Sequence, residues 1–161
     1  MAVITRLNKL LWKPLLNASV WATRTPYRNA VLGRPLERGL ATLTTALKQA
    51  QPQADVGAVA REWQRMMPSR KMVPIVEESA DTVIAEIHAE CPYRGTGNVQ
   101  GCHRMMEYDR QMLKGIGGEL VVLRSQAEAG VTVCQVAIRR QGADLADLVP
   151  AHVRAGVAHR D

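Results

Sequence analysis

Apolar residues recur every three or four positions through the first 67 residues of the chain, and every second position beyond residue 72. This change of period separates a helical part from a strand-rich part. Ile4, Leu7, Leu11 and Leu15 form one helical stripe, widened by Val3 and Leu10, with Arg6, Lys9 and Lys13 off it. The pattern predicts an amphipathic helix over residues 3–21, edged by Trp12 and Trp21. Pro14 should break or kink it near Lys13. Thr25-Pro26 and Gly33-Arg34-Pro35 read as loop punctuation. Leu36, Leu40, Leu43 and Leu47 predict a second helix over 36–50, ended by Gln51-Pro52. A third runs from an Asp55 cap to Met67, where Pro68-Ser69 stops it.

The alternating part starts at Met72–Glu78, a strand that Pro74 assigns to a sheet edge. Thr82–Glu90 alternates cleanly, with Val83, Ala85, Ile87 and Ala89 on one face and Glu86, His88 and Glu90 on the other. That is a strand with one wet face. After Cys91-Pro92 comes a glycine-rich loop (Gly95, Gly97, Gly101), then a helix over 101–115 that stops at Gly117-Gly118. Glu119–Gln126 and Val131–Arg140 predict a second hairpin around Gly130, and an Ala-rich tail follows with a short helix over 143–149. The order is N-terminal helices, β-hairpin, helix, β-hairpin. This gives an α+β domain with helices packed on a small antiparallel sheet. The expected division is an N-terminal arm over 1–35, the α+β domain over 36–141 and a tail over 142–161.

Composition changes this picture in three places. Phe is absent, so the core must be built from aliphatic residues and the seven Met. No apolar run is long enough for a transmembrane helix. The net charge of +6 is concentrated: residues 1–53 hold eight basic residues against the single acid Glu37, and the remainder is close to neutral. A nucleic-acid partner is therefore not expected from the high pI. The basic helix over 3–21 suits either an anionic membrane surface or packing against its own domain or a partner protein, as a homo- or hetero-oligomer. Three cysteines cannot all pair with one another, which fits a reducing cytoplasm and thiols kept for ligation or reactivity.

Strand parity places Cys91 in the series of Ala89 and Ile87, and Cys134 in that of Val136 and Ile138. On the intervening helix, Cys102, Met105, Met106, Asp109, Met112 and Leu113 share a face. All three thiols are thus expected to point inward and converge. Buried cysteines often serve simply as small apolar side chains. Two chemistries are open beside that reading. Cys91, Cys102 and Cys134 would ligate zinc or iron, with His103 or solvent as a fourth ligand. Alternatively Cys102, at a helix N-terminus, would be a nucleophile. Asp109 is costly to bury without a partner, and Arg124 is the candidate on the next strand. His103 and Glu107 are expected to form an exposed pair one helical turn apart, and His88 to lie on a solvated strand face.

The run Cys91-Pro-Tyr-Arg-Gly, the helix from Cys102 through Glu107-Tyr-Asp109-Arg, and the segments Gly118-Glu-Leu-Val-Val-Leu-Arg124-Ser-Gln126 and Gly130-Val-Thr-Val-Cys134-Gln-Val-Ala-Ile-Arg139 together carry a resemblance. They resemble the L-2-amino-thiazoline-4-carboxylate hydrolase-like family and, more distantly, the small-molecule-binding domains of the 4-vinyl reductase type. Met106 stands where that pattern has a cysteine nearer the aspartate. The resemblance implies a pocket between helices and sheet, and hydrolytic opening of a thiazoline ring or binding of a ligand or metal. Under it, Cys102 acts as nucleophile or ligand and Asp109 orients it or accepts a proton. Arg124 and Gln126 bind a carboxylate or carbonyl of a small substrate. The alternative function is a non-catalytic accessory subunit that docks on a membrane-associated or multi-subunit complex through the basic N-terminal helix.

Overall fold

In the computed structural model, which describes residues 14–157, the chain forms an α+β domain. Residues 14–23 are helical (α1). The rest of the helix expected over 3–21, with the effect of Pro14 at Lys13, falls outside the described residues. The expected loop around Pro26 and Pro35 is instead helical. Thr25 caps α2 (Pro26–Arg28), its hydroxyl accepting the Arg28 N–H at 3.3 Å. A π turn over Asn29–Gly33 leads into α3 (Arg34–Leu47). Pro35 falls in the first turn of α3, where a missing N–H costs little, and the π turn absorbs the change of register. Gly33 is needed for packing, since a Cβ there would sit 3.0 Å from the Ala22 carbonyl oxygen.

Helix α4 (Val56–Met66) starts where the sequence places it, with the Asp55 carboxylate accepting the Ala58 N–H at 2.7 Å. Its inner face carries Val59, Ala60 and Trp63, all fully buried, against β2, β3 and β4. A 3-10 turn over Arg70–Met72 shortens the first strand to β1 (Ile75–Glu78). With β2 (Val83–Ile87), β3 (Gly118–Arg124) and β4 (Cys134–Arg140) it forms one antiparallel sheet of order β1-β2-β4-β3. The two expected hairpins both form, and β1 is an edge strand, as Pro74 implied. The β2–β4 pairing joins them, setting Val83 opposite Ile138, Ala85 opposite Val136 and Ile87 opposite Cys134.

The helix expected over 101–115 is two: α5 (Val99–Met105) and α6 (Glu107–Gly115), broken at Met106. Its inward face survives the break, since Cys102, Met106, Met112 and Leu113 are all buried. Residues 143–149 are not helical. Arg139 holds the Asp144 carbonyl and the Asp147 carboxylate at 2.5 Å, drawing this segment back onto β4. Pro150 then disfavours helix at Val149, and α7 (Ala151–Val157) begins only after it. Helix α7 packs on α5 and β3. The described part of the expected N-terminal arm also packs on the domain: the Tyr93 hydroxyl donates to the Val20 carbonyl at 3.0 Å, and Arg104 to that of Thr23 at 2.7 Å. Among the described residues no helix is long and apolar enough to cross a membrane.

Candidate functional site

The site forms where strands run out and helices cover the gap. Strand β2 ends at Ile87, and the parity that buries Val83 and Ala85 carries on to Ala89 and Cys91. Strand β4 begins beside it with Cys134. Helix α5 brings Cys102, α6 brings Tyr108 and Asp109, α3 brings Glu37, Leu40 and Thr44, and α1 closes the space with Leu15, Leu16 and Ser19. The result is a cavity of about 140 Å³, lined mostly by aliphatic and Met side chains.

All three cysteines are unpaired and line this cavity, as parity and helical phase suggest. Their chemistry differs from the expected order. Cys102 is the fourth residue of α5, and its N–H is already donated to the Asn98 carbonyl at 3.1 Å. The helix start is capped by Asn98, whose side chain accepts the Gly101 N–H at 2.8 Å. The N–H of Cys102 itself is thus not free to favour a thiolate there. The neighbouring Cys134 and burial together push Cys102 well above the ordinary thiol range. Cys134 is held below its ordinary value by the neighbouring Cys102 thiol and by the Gln126 N–H, which its sulfur accepts at 3.2 Å. Burial pushes the Cys91 thiol up, and its sulfur accepts the Tyr93 N–H at 3.4 Å. Among the described residues no three His, Cys, Asp or Glu side chains are gathered so as to hold a metal ion. The thiols therefore share a cavity without forming a ligand set for zinc or iron as placed.

Asp109 faces the cavity, and its partner is Trp63 rather than Arg124: the indole N–H donates to Oδ1 at 3.0 Å. Burial still pushes Asp109 up to about 6. Arg124 is exposed at the end of the edge strand β3, past a register shift after Val122, and does not line the cavity. Gln126 is fully buried and lines the cavity, but its amide is committed to the fold. Its Oε1 accepts from the Cys91 N–H and Arg94 Nε, and its Nε2 donates to the carbonyls of Ile87 and Ala89. It staples the end of β2 to the β3–β4 connection. The expected pairing of His103 with Glu107 is absent. His103 stacks on His152 with ring centroids 3.6 Å apart, and Glu107 pairs with Arg38 and Arg110. His88 stays exposed, bonded to Glu86 at 2.7 Å.

The residue that sequence reading missed is Glu37. It is 2 % exposed, and its Oε1 has no hydrogen-bond partner. Burial pushes its carboxyl up to about 7, Ser19 lowers it in part, and the Asp109 charge raises it further. The leucine stripe of α3 points attention to another face. Leu43 and Leu47 are exposed, while Glu37 and Ala41, one turn apart, are buried. The available signal was Glu37 as the sole acid among the first 53 residues, set inside an apolar pattern.

The fold and site define a class: an α+β domain with a partly open cavity bearing carboxyl and thiol groups. Comparison with protein-family models, curated proteins and solved structures finds no match.

Proposed function

We propose that this chain is a small-molecule-binding domain whose ligand occupies the cavity between the open end of β2–β4 and helices α1, α3, α5 and α6. The observation that carries this reading is the lining: a continuous apolar wall into which a few polar groups converge. The volume of about 140 Å³ is that of a site for a single-ring molecule, since apolar cavities of roughly 150 Å³ admit benzene. Among the described residues no Lys, Arg or His lines it. The small carboxylate substrate implied by the family resemblance thus finds no counter-charge among the described lining residues, because that role rested on Arg124. If the domain catalyses hydrolysis, Cys134 is the better nucleophile and Asp109 the nearby carboxyl.

Binding is tested by thermal denaturation with and without saturating toluene or indole. Both should raise the Tm of the wild-type protein, and Ala89→Phe, which fills the cavity, should remove the shift while keeping the fold. An unchanged wild-type Tm with every such ligand would count against the reading.

A second reading, an accessory subunit that docks on a partner, draws on one observation. Trp21, Tyr27, Val31 and Leu32, from α1 to the π turn, are all exposed apolar residues. Pull-down or flotation of a Trp21→Ser, Leu32→Ser protein against wild type tests it.

A further inference from the structure

Glu37 and Asp109 are the two carboxyl groups that the helices α3 and α6 turn into the cavity, and they lie close enough for the charge of one to oppose that of the other. Asp109 has one donor, the Trp63 indole. Glu37, 98 % buried by its 2 % exposure, keeps Oε1 without any partner. Among the described residues the neighbouring cations are engaged elsewhere: Arg38 with Glu107 at 2.8 Å, and Arg110 with Glu107 at 3.3 Å and the His103 carbonyl at 2.7 Å. A buried acceptor without a donor, and two buried acids without a cation, are both costly. Protonation relieves part of that cost, and a ligand that supplies the missing donor and charge relieves it with both carboxylates ionised. Most of the remaining wall is apolar, with Glu90 a third carboxyl residue at the cavity, whose side chain is largely exposed.

We infer that the ligand of this cavity carries a protonated nitrogen, an amine or amidine on a small apolar body, which Glu37 and Asp109 hold as a pair. This inference rests on the proposed role of the cavity as a ligand site. The nitrogen would donate to the free Oε1 of Glu37 and to Asp109, with the Ser19 hydroxyl and the Trp63 indole fixing the two carboxylates. The thiols of Cys91, Cys102 and Cys134 would line the side toward the sheet and contact the apolar body.

Calorimetric titration of the full chain with benzylamine, benzyl alcohol and benzoate tests this. Benzylamine should bind at least about tenfold more tightly than benzyl alcohol, and benzoate should bind weakest or not at all. Glu37→Gln should erase the preference for the amine, benzylamine then binding no more tightly than benzyl alcohol, and Asp109→Asn should reduce it. Circular dichroism confirms that each variant is folded, and Asp109→Asn serves alone if Glu37→Gln is not. Equal binding of amine and alcohol by the wild type overturns the inference and leaves the cavity reading standing. A preference left undiminished in either folded variant also overturns it. Failure of all three probes to bind overturns both the inference and the cavity reading.

Discussion

The indole N–H of Trp63 donates to Oδ1 of Asp109 across 3.0 Å, tying the fully buried centre of α4 to the wall of the cavity on α6. This bond explains how a carboxyl group is tolerated at that depth. It also links the packing of the core to the geometry of the site. Trp63→Phe leaves Asp109 without its donor and should destabilise the protein by about 2–4 kcal/mol in urea unfolding. In the Asp109→Leu background the same change should cost less, because no carboxylate is then orphaned. Equal losses in both backgrounds would show that only the packing of the ring matters.

Stability should depend on pH through the two cavity carboxyls. Burial raises Glu37 from 4.5 to about 7 and Asp109 from 3.8 to about 6. Each binds its proton more tightly folded than unfolded, so its contribution is complete below the unfolded value and is lost as pH rises through the folded value. His103 acts in the opposite sense over the same range. Burial pushes it down from 6.5 to about 4, so its contribution is complete above 6.5 and lost as pH falls toward 4. The carboxyl effect is therefore read as a difference. Glu37→Gln should gain on wild type between about pH 5 and about pH 8, by on the order of 2 kcal/mol. Parallel pH profiles would refute the assignment.

Thiol reactivity separates Cys134 from Cys102. The Cys134 sulfur accepts the Gln126 N–H at 3.2 Å and is held down, while Cys102 is pushed up. Mass spectrometry after brief treatment with iodoacetamide, a reagent small enough for the cavity, should find Cys134 modified ahead of Cys102. The reverse order would restore Cys102 as the candidate nucleophile.

Gln126 and Arg124 should respond very differently to truncation. Gln126 makes four hydrogen bonds in a fully buried position, whereas Arg124 is exposed. Gln126→Ala should cost about 3 kcal/mol or more, and Arg124→Ala less than about 0.5 kcal/mol. Both are read from urea midpoints. A larger effect at Arg124 would mean that the edge of β3 is more heavily used than its exposure indicates.

Much of this fold follows from local pattern. The Asp55 cap, the edge position of β1 beside Pro74 and the two hairpins are each set by residues close in sequence. The inward direction of Cys91, Cys102 and Cys134 is likewise a matter of period and phase, because a strand alternates and a helix repeats whatever lies opposite. Tertiary structure decided what those thiols face. The capping of α5 by Asn98 and the approach of Cys134 moved the favoured sulfur from one strand-facing helix to the strand itself. Packing of α3 on the rest of the domain decided that Glu37 and Ala41 face inward while Leu43 and Leu47 are exposed. Partners of Asp109 and Gln126 also come from distant elements, 46 and 35 residues away. Period and parity tell a residue which way to point; the charge it can hold depends on which donors the rest of the chain brings to meet it.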